Sequence, residues 1–242
     1  MQQRLWDSSK SYTRIKLCEF ESLDAAYEAS FIGADFLGFH IFSDQAYFEK
    51  ANRFNDFFQY LPPFINKTLL TDIPLNILVE LLDIVKVDSI QLYNDSSRED
   101  ILQLKKKFSA IKIIKVMSEK SEENFTSDDN EFIQRYDDIV DAFLLDSFRI
   151  GGTGVTGDWK HCAEIVKKCQ SPVFLAGGLT ADNVYEAIKT VRPFGVDVEN
   201  GVSDVLAEGF RVKNMQKCRL FVEKVKEADW KIKRSFYSED FH

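Results

Sequence analysis

The sequence predicts an α/β protein built as a single (β/α)8 TIM barrel, and three observations carry that expectation. Short β-rich runs alternate with amphipathic stretches almost from end to end, as a parallel sheet covered by helices requires. The β-rich runs number eight. A chain of 242 residues suits one such barrel, which takes about 250, and no second domain's worth of sequence is left over.

In chain order, Arg14–Cys18 reads as the first strand, and the spacing of Leu23, Tyr27 and Phe31 predicts a helix over Leu23–Phe31. Phe36–Ile41 is the second strand, followed by a helix over Glu49–Tyr60. Ile65–Leu70 is the third, and Leu78, Leu81, Leu82 and Val85 place one apolar face on Asn76–Val85. Ser89–Leu92 precedes a helix over Arg98–Phe108, and Lys112–Val116 is the fifth strand. The acidic, serine-rich stretch Ser118–Asn130 reads as a solvated loop. Ala142–Leu145, Val173–Ala176 and Gly195–Val198 complete the strands, with helices over Lys160–Cys169, Asn183–Val191 and Met215–Val225. The expected organisation is an N-terminal extension over 1–13, the barrel over 14–227, and a tail over 228–242 that packs across the barrel's N-terminal face or on a neighbouring subunit.

There are 31 Lys and Arg against 39 Asp and Glu, a formal net charge of −8, which gives no electrostatic footprint for nucleic acid. A local site for a phosphorylated small molecule remains compatible with that total. Met1–Thr13 has no apolar core of a secretory signal, and no apolar run approaches the roughly 18 residues of a membrane span, so a cytoplasmic protein is expected. Cys18, Cys162, Cys169 and Cys218 lie far apart without a CxxC spacing, which argues for thiols over disulfides or a zinc site.

Chemistry in such a barrel gathers at the C-terminal ends of the strands. Three glycine-bearing turns fall there: Gly151-Gly152-Thr153-Gly154, Gly177-Gly178 and Asn200-Gly201. Glycine permits close backbone approach, and exposed N–H groups there bind an oxyanion; tight βα turns are the plainer reading of each one. Cys18 closes the first strand and Asp146 the sixth, across the barrel mouth. A carboxyl after four apolar residues is poorly solvated and suits a proton donor, whereas Cys18 suits a base or nucleophile, or else a buried structural thiol.

These residues carry a resemblance. Leu144-Leu145-Asp146-Ser147, Gly151-Gly152-Thr153-Gly154, Asp158-Trp159, Leu175-Ala176-Gly177-Gly178-Leu179 with Asn183-Val184, Gly195-Val196-Asp197-Val198 and Gly201-Val202 resemble the phosphoribosylanthranilate isomerase family in order and spacing. Lys16-Leu17-Cys18, Gly33-Ala34-Asp35-Phe36-Leu37-Gly38-Phe39, Leu61-Pro62-Pro63 and Gln91-Leu92 agree more loosely, so the likeness runs from about 14 to 226. It implies a cytoplasmic isomerase of tryptophan biosynthesis that performs an Amadori rearrangement without cofactor or metal. By position, it makes Cys18 the general base at C2 of the sugar and Asp146 the general acid at the ring oxygen. Gly177, Gly178, Asn200 and Gly201 would hold the phosphate, and Tyr47, Tyr93, Gly152 and Asp197 the rest of the substrate.

The departures lie mainly at the aromatic end and mark a divergent member. The family's Ser-Pro-Arg segment, whose arginine binds the anthranilate carboxylate, has Tyr47 at the arginine's place, with Arg53 six residues on. A tyrosine cannot make a guanidinium's bidentate contact. The family's Gln-Leu-His-Gly reads Gln91-Leu92-Tyr93-Asn94, and its Ser-Ser-Gly reads Glu199-Asn200-Gly201, a carboxylate beside the expected phosphate. The departures leave three readings open: the family's own isomerase, a related enzyme on another phosphorylated sugar, and a barrel that binds a phosphometabolite without turnover.

Overall fold

The computed structural model describes residues 12–43, 46–117, 128–147, 158–206 and 209–239. Eight parallel strands form a closed barrel in sequence order: β1 (Arg14–Leu17), β2 (Phe36–His40), β3 (Asn66–Thr71), β4 (Ser89–Leu92), β5 (Lys112–Met117), β6 (Ala142–Asp146), β7 (Val173–Ala176) and β8 (Gly195–Val198). Closure is made by β8 on β1, with Lys16 opposite Asp197 and Leu17 opposite Val198. Around it lie α1 (Leu23–Ala29), α2 (Tyr47–Phe58), α3 (Leu75–Ile84), α4 (Arg98–Lys107), α5 (Asp128–Tyr136), α6 (Trp159–Lys168), α7 (Val184–Val191) and α8 (Met215–Glu239).

Strand alternation sorts the core into two layers. Ile15, Leu17, Leu37, Phe39, Leu69, Ile90, Leu92, Val196 and Val198 point outward and pack against the apolar helix faces. The interior has two characters: Ile114, Val116, Ala142, Leu144, Phe174 and Ala176 fill the side of β5 to β7, while Lys16, Thr68, Ser89, Gln91 and Asp197 are buried on the side of β8 to β4. The Thr68 and Ser89 hydroxyls lie 2.8 Å apart and 3.0 and 2.6 Å from Asn66 Oδ1, close enough for one hydroxyl to donate to the other and the second to the amide oxygen, so these three groups satisfy one another low in the barrel.

The structure departs from expectation in places where the sequence signal is short. Asp128–Asn130 form the first turn of α5 instead of ending a loop; the remainder of that acidic stretch, 118–127, lies outside the described residues. Two three-residue strands, β9 (Ser203–Val205) and β10 (Arg211–Lys213), pair antiparallel after β8, too short for alternation to register. The last helix runs unbroken through residue 227. From it, Asp229 accepts hydrogen bonds from the Thr13 N–H at 2.8 Å and hydroxyl at 2.7 Å, tying α8 to the chain entering β1. All four cysteines are buried thiols.

Candidate active site

Because β1 alternates Arg-Ile-Lys-Leu, Lys16 and the following Cys18 face the barrel interior together, and the β1–β8 register sets Asp197 beside them. The three side chains form a closed triangle. Lys16 Nζ donates to Cys18 Sγ at 2.6 Å and to Asp197 Oδ2 at 2.7 Å, and the Cys18 thiol donates to Asp197 Oδ1 at 2.9 Å. Lys16 is fully buried and Asp197 nearly so. Burial works to lower the Lys16 pKa, but Asp197 and Cys18 outweigh it and the ammonium is held more tightly than usual. Burial, then Asp197, push the Cys18 thiol well above its ordinary range against the opposing pull of Lys16, so its resting form is the thiol. A methyl on Gly38 of β2 would lie 2.5 Å from Cys18 Sγ, so the bare glycine gives the sulfur its space.

Beside the triangle opens a cavity of about 320 Å³, walled by Tyr93, Leu144, Asp146, Ala176, Asp197 and Glu199 and by the glycine turns after β7 and β8. Asp146, the last residue of β6, faces it half-buried. Ser147 donates to the Ala176 and Gly177 carbonyls at 2.8 and 3.1 Å, fixing the end of β6 to the β7 turn. Gly177 and Gly178 have φ of +91° and +64°, two successive left-handed residues that only glycine adopts without strain. Asn183 clamps this turn, accepting from Thr180 N–H at 2.8 Å and donating to Gly178 O at 2.9 Å. Gly201 comes so close to the same turn that a Cβ would sit 2.0 Å from Leu179 O. The turns after β7 and β8 thus form one backbone-lined concavity suited to an oxyanion.

Of the remaining candidates, Tyr93 faces the cavity and accepts from Gln91 Nε2 at 2.8 Å; burial, then Asp197, raise its phenol above the ordinary value. Tyr47 is the first residue of α2, packed on the core and edge-on to Phe48 with centroids 4.9 Å apart, and is absent from the cavity wall among the described residues. The two cations near it, Lys50 (2.7 Å) and Arg53, both pair with Glu21, and Arg53 lies 5.1 Å over the Phe54 ring. Gly152 lies outside the described residues, as do Gly151, Thr153 and Gly154. Sequence reasoning missed Lys16, His40 and Lys213 as parts of the site; strand parity was the available signal for the first two, since Lys16 shares the face of Cys18 and His40 that of Gly38. Among the described residues no cluster could hold a metal ion, and no helix is long and apolar enough to cross a membrane.

Comparison with known proteins agrees with the fold. Residues 15–224 match the family described as N-(5'phosphoribosyl)anthranilate (PRA) isomerase. An N-(5'-phosphoribosyl)anthranilate isomerase 2 of Methanosarcina mazei is 34% identical over 239 residues, covering 91% of this chain and 97% of its own. The crystal structure of the Thermotoga maritima isomerase superposes with a TM-score of 0.71 at 26% identity, covering 89% of this chain and 99% of that one. A further crystal structure of such an isomerase, in complex with reduced 1-(o-carboxyphenylamino)-1-deoxyribulose 5-phosphate, superposes with a TM-score of 0.69 at 25% identity, covering 89% and 99%. Agreement of this extent places the sequence well inside the group instead of at its margin, despite Tyr47 and Glu199: the chain belongs to the phosphoribosylanthranilate isomerase family.

Proposed function

We infer that the protein is a phosphoribosylanthranilate isomerase, converting the N-linked phosphoribosylamine of anthranilate into the aminoketose phosphate in tryptophan biosynthesis. The observation that carries this reading is the placement of a buried thiol–carboxylate pair and a cavity-facing acid, Asp146, beside backbone turns that suit a phosphate. Asp146 protonates the ring oxygen as the C1–O bond breaks, which spares the formation of an alkoxide and leaves an iminium at C1. The iminium acidifies C2–H, and Cys18 removes that proton. The resulting enolamine gains a proton at C1 and loses the O2 proton to become the ketone, so the reaction is a net isomerisation.

Cys18 rests as a thiol and needs somewhere to send its own proton. Asp197 Oδ1, already accepting the S–H bond, is that acceptor, and Lys16 touches both sulfur and carboxylate, so it stabilises the negative charge on either one. The basic group is therefore the Cys18–Asp197 pair with Lys16 as its fixed counter-charge. The phosphate rests on backbone N–H groups of Gly177, Gly178, Asn200 and Gly201. Gly201→Ala forces the β7 and β8 turns apart and weakens binding of inorganic phosphate at least about tenfold, on the order of 1.4 kcal/mol, as read by calorimetry on the folded variant. Unchanged affinity would move the phosphate elsewhere.

Formation of the aminoketose from phosphoribosylanthranilate by the purified chain, and growth of an isomerase-deficient tryptophan auxotroph carrying it, test the activity. At the aromatic end, Glu21 holds Lys50 and Arg53 as a ready pair of cations, and the substrate carboxylate takes over contacts that Glu21 makes in its absence. Arg53→Ala accordingly raises KM about 10-fold or more with kcat little changed, the loss of a charge-assisted contact of roughly 1.5–3 kcal/mol. The lack of an arginine at position 47 is what would favour a second reading, a substrate whose amine substituent is uncharged. Slow turnover of phosphoribosylanthranilate, unaffected by Arg53→Ala or Lys50→Ala, would select it.

A further inference from the structure

Glu199 follows β8 directly and faces inward with Asp197, two residues earlier, on the cavity wall that also holds Gly177, Gly178 and Gly201. Among the described residues no lysine or arginine lies directly against its carboxylate. The ammonium of Lys213, from β10, donates to the Glu199 main-chain carbonyl at 2.9 Å and to Ser203 Oγ at 2.8 Å, and lies 3.7 Å from Glu19 Oε2. On the other side of β1, His40 Nε2 of β2 is buried without a hydrogen-bond partner among the described residues and stands 3.4 Å from Glu199 Oε2. A single proton between these two atoms, with a small approach, would satisfy both.

The charges around Glu199 favour that proton. From the β1 side come Lys16, Cys18 and Glu19; from β2, His40; from the end of β4, Tyr93; from β8, Asp197; from β10, Lys213; and Lys50 of α2 acts on His40. Burial, then Glu19 and Asp197, push the Glu199 carboxyl up to about 7 against Lys213 and Lys16. Burial, then Lys16, Lys213 and Lys50, hold His40 down to about 3, so its imidazole is neutral and able to accept. A phosphate dianion arriving on the neighbouring N–H groups adds a further negative charge to the same poorly solvated space. Like charges confined together do not both persist, and one takes up a proton.

We propose that Glu199 determines recognition at the phosphate end as a neutral carboxylic acid hydrogen-bonded to His40, so that the substrate's phosphate is bound together with one proton. The inference rests on the phosphate reading of the β7 and β8 turns. It makes the protonation of Glu199 a condition of binding and not of chemistry: the KM for phosphorylated substrate climbs above neutral pH while kcat does not follow it.

Sulfate is the probe for the test, because it keeps both charges across the neutral range and any pH dependence then belongs to the protein. Calorimetry on the whole chain is expected to show sulfate affinity falling on the order of tenfold per pH unit above about 7, with net proton uptake in buffers of different ionisation enthalpy. Glu199→Gln and Glu199→Ser, the second supplying the family's residue, bind sulfate equally at about pH 6 and about pH 8.5. Stability gives an independent reading. An acid whose folded pKa is raised binds its proton more tightly folded than unfolded, so the contribution of Glu199 to the unfolding free energy is greatest below about 4.5 and is lost as pH climbs to about 7, while the neutral His40 works in the opposite sense below about 6.5; the difference in unfolding free energy between the parent and Glu199→Gln isolates the Glu199 fall. A sulfate affinity that keeps its pH slope in both variants overturns the role of Glu199 while leaving the phosphate site standing. Absence of sulfate binding at every pH, in the parent and in Gly178→Val alike, overturns the phosphate site and this proposal with it.

Discussion

Cys18→Ser and Asp146→Asn each lower kcat/KM for phosphoribosylanthranilate by about 10²–10⁴-fold, the range for loss of a positioned acid or base. Both variants keep their fold, for different reasons. Serine at position 18 is smaller than cysteine and its hydroxyl inherits the bonds to Lys16 and Asp197, so no buried charge is stranded. What it loses is acidity, since an alkoxide is far less accessible than a thiolate. Asp146 is half-buried on the cavity wall, where asparagine keeps the shape and forfeits only the transferable proton. The measurement is steady-state kinetics beside circular dichroism and thermal unfolding. A well-folded Cys18→Ser enzyme with full activity would remove Cys18 from the base role, and the same outcome for Asp146→Asn would remove the acid.

The eight strands were legible because each is a short apolar run closed by a turn-forming or polar residue, and seven of the helices because their apolar residues recur three or four apart over two turns or more. Most boundaries moved by a residue or two: the first strand ends at Leu17 instead of Cys18, and α2 starts at Tyr47 instead of Glu49, which turns the residue expected in a binding loop into part of a packed helix; the large exception is α8, expected to stop at Val225, which runs on to Glu239. The acidic stretch hid the start of α5, since Asp128, Asp129 and Asn130 read as solvated loop until Phe132 and Tyr136 supply the packing face that recruits them.

The site was legible only along single strands. Cys18, Asp146 and the glycine turns announce themselves by position after an apolar run, but the triangle of Lys16, Cys18 and Asp197 depends on which strands adjoin and in which register. Lys16 and Asp197 are 181 positions apart, and nothing local to either predicts a contact of 2.7 Å. The same holds for His40 and Glu199, from strands on opposite sides of β1. A charged residue on the interior face of a barrel strand is nonetheless a signal, because burying it alone is costly and a partner has to exist.

That partnership makes Lys16→Met the substitution with the largest expected effect on stability. Methionine nearly matches the volume of the lysine stem, so packing is conserved and the change is electrostatic. With the ammonium gone, Asp197 keeps a buried negative charge beside a thiol whose pKa was already high, and an uncompensated buried charge costs roughly 3–5 kcal/mol. Because the folded pKa of Lys16 is raised above its ordinary 10.5, its contribution to the parent is fully present below that value and therefore throughout the neutral range. Adding Asp197→Asn removes the stranded charge and returns most of the stability, while activity stays low because Cys18 then lacks both its proton acceptor and its counter-charge. Chemical denaturation of the two single variants and the double variant, with kinetics on each, separates these effects. Single variants that lose stability additively in the double would show that Lys16 and Asp197 are uncoupled, and the triangle would then not be the unit that activates the thiol.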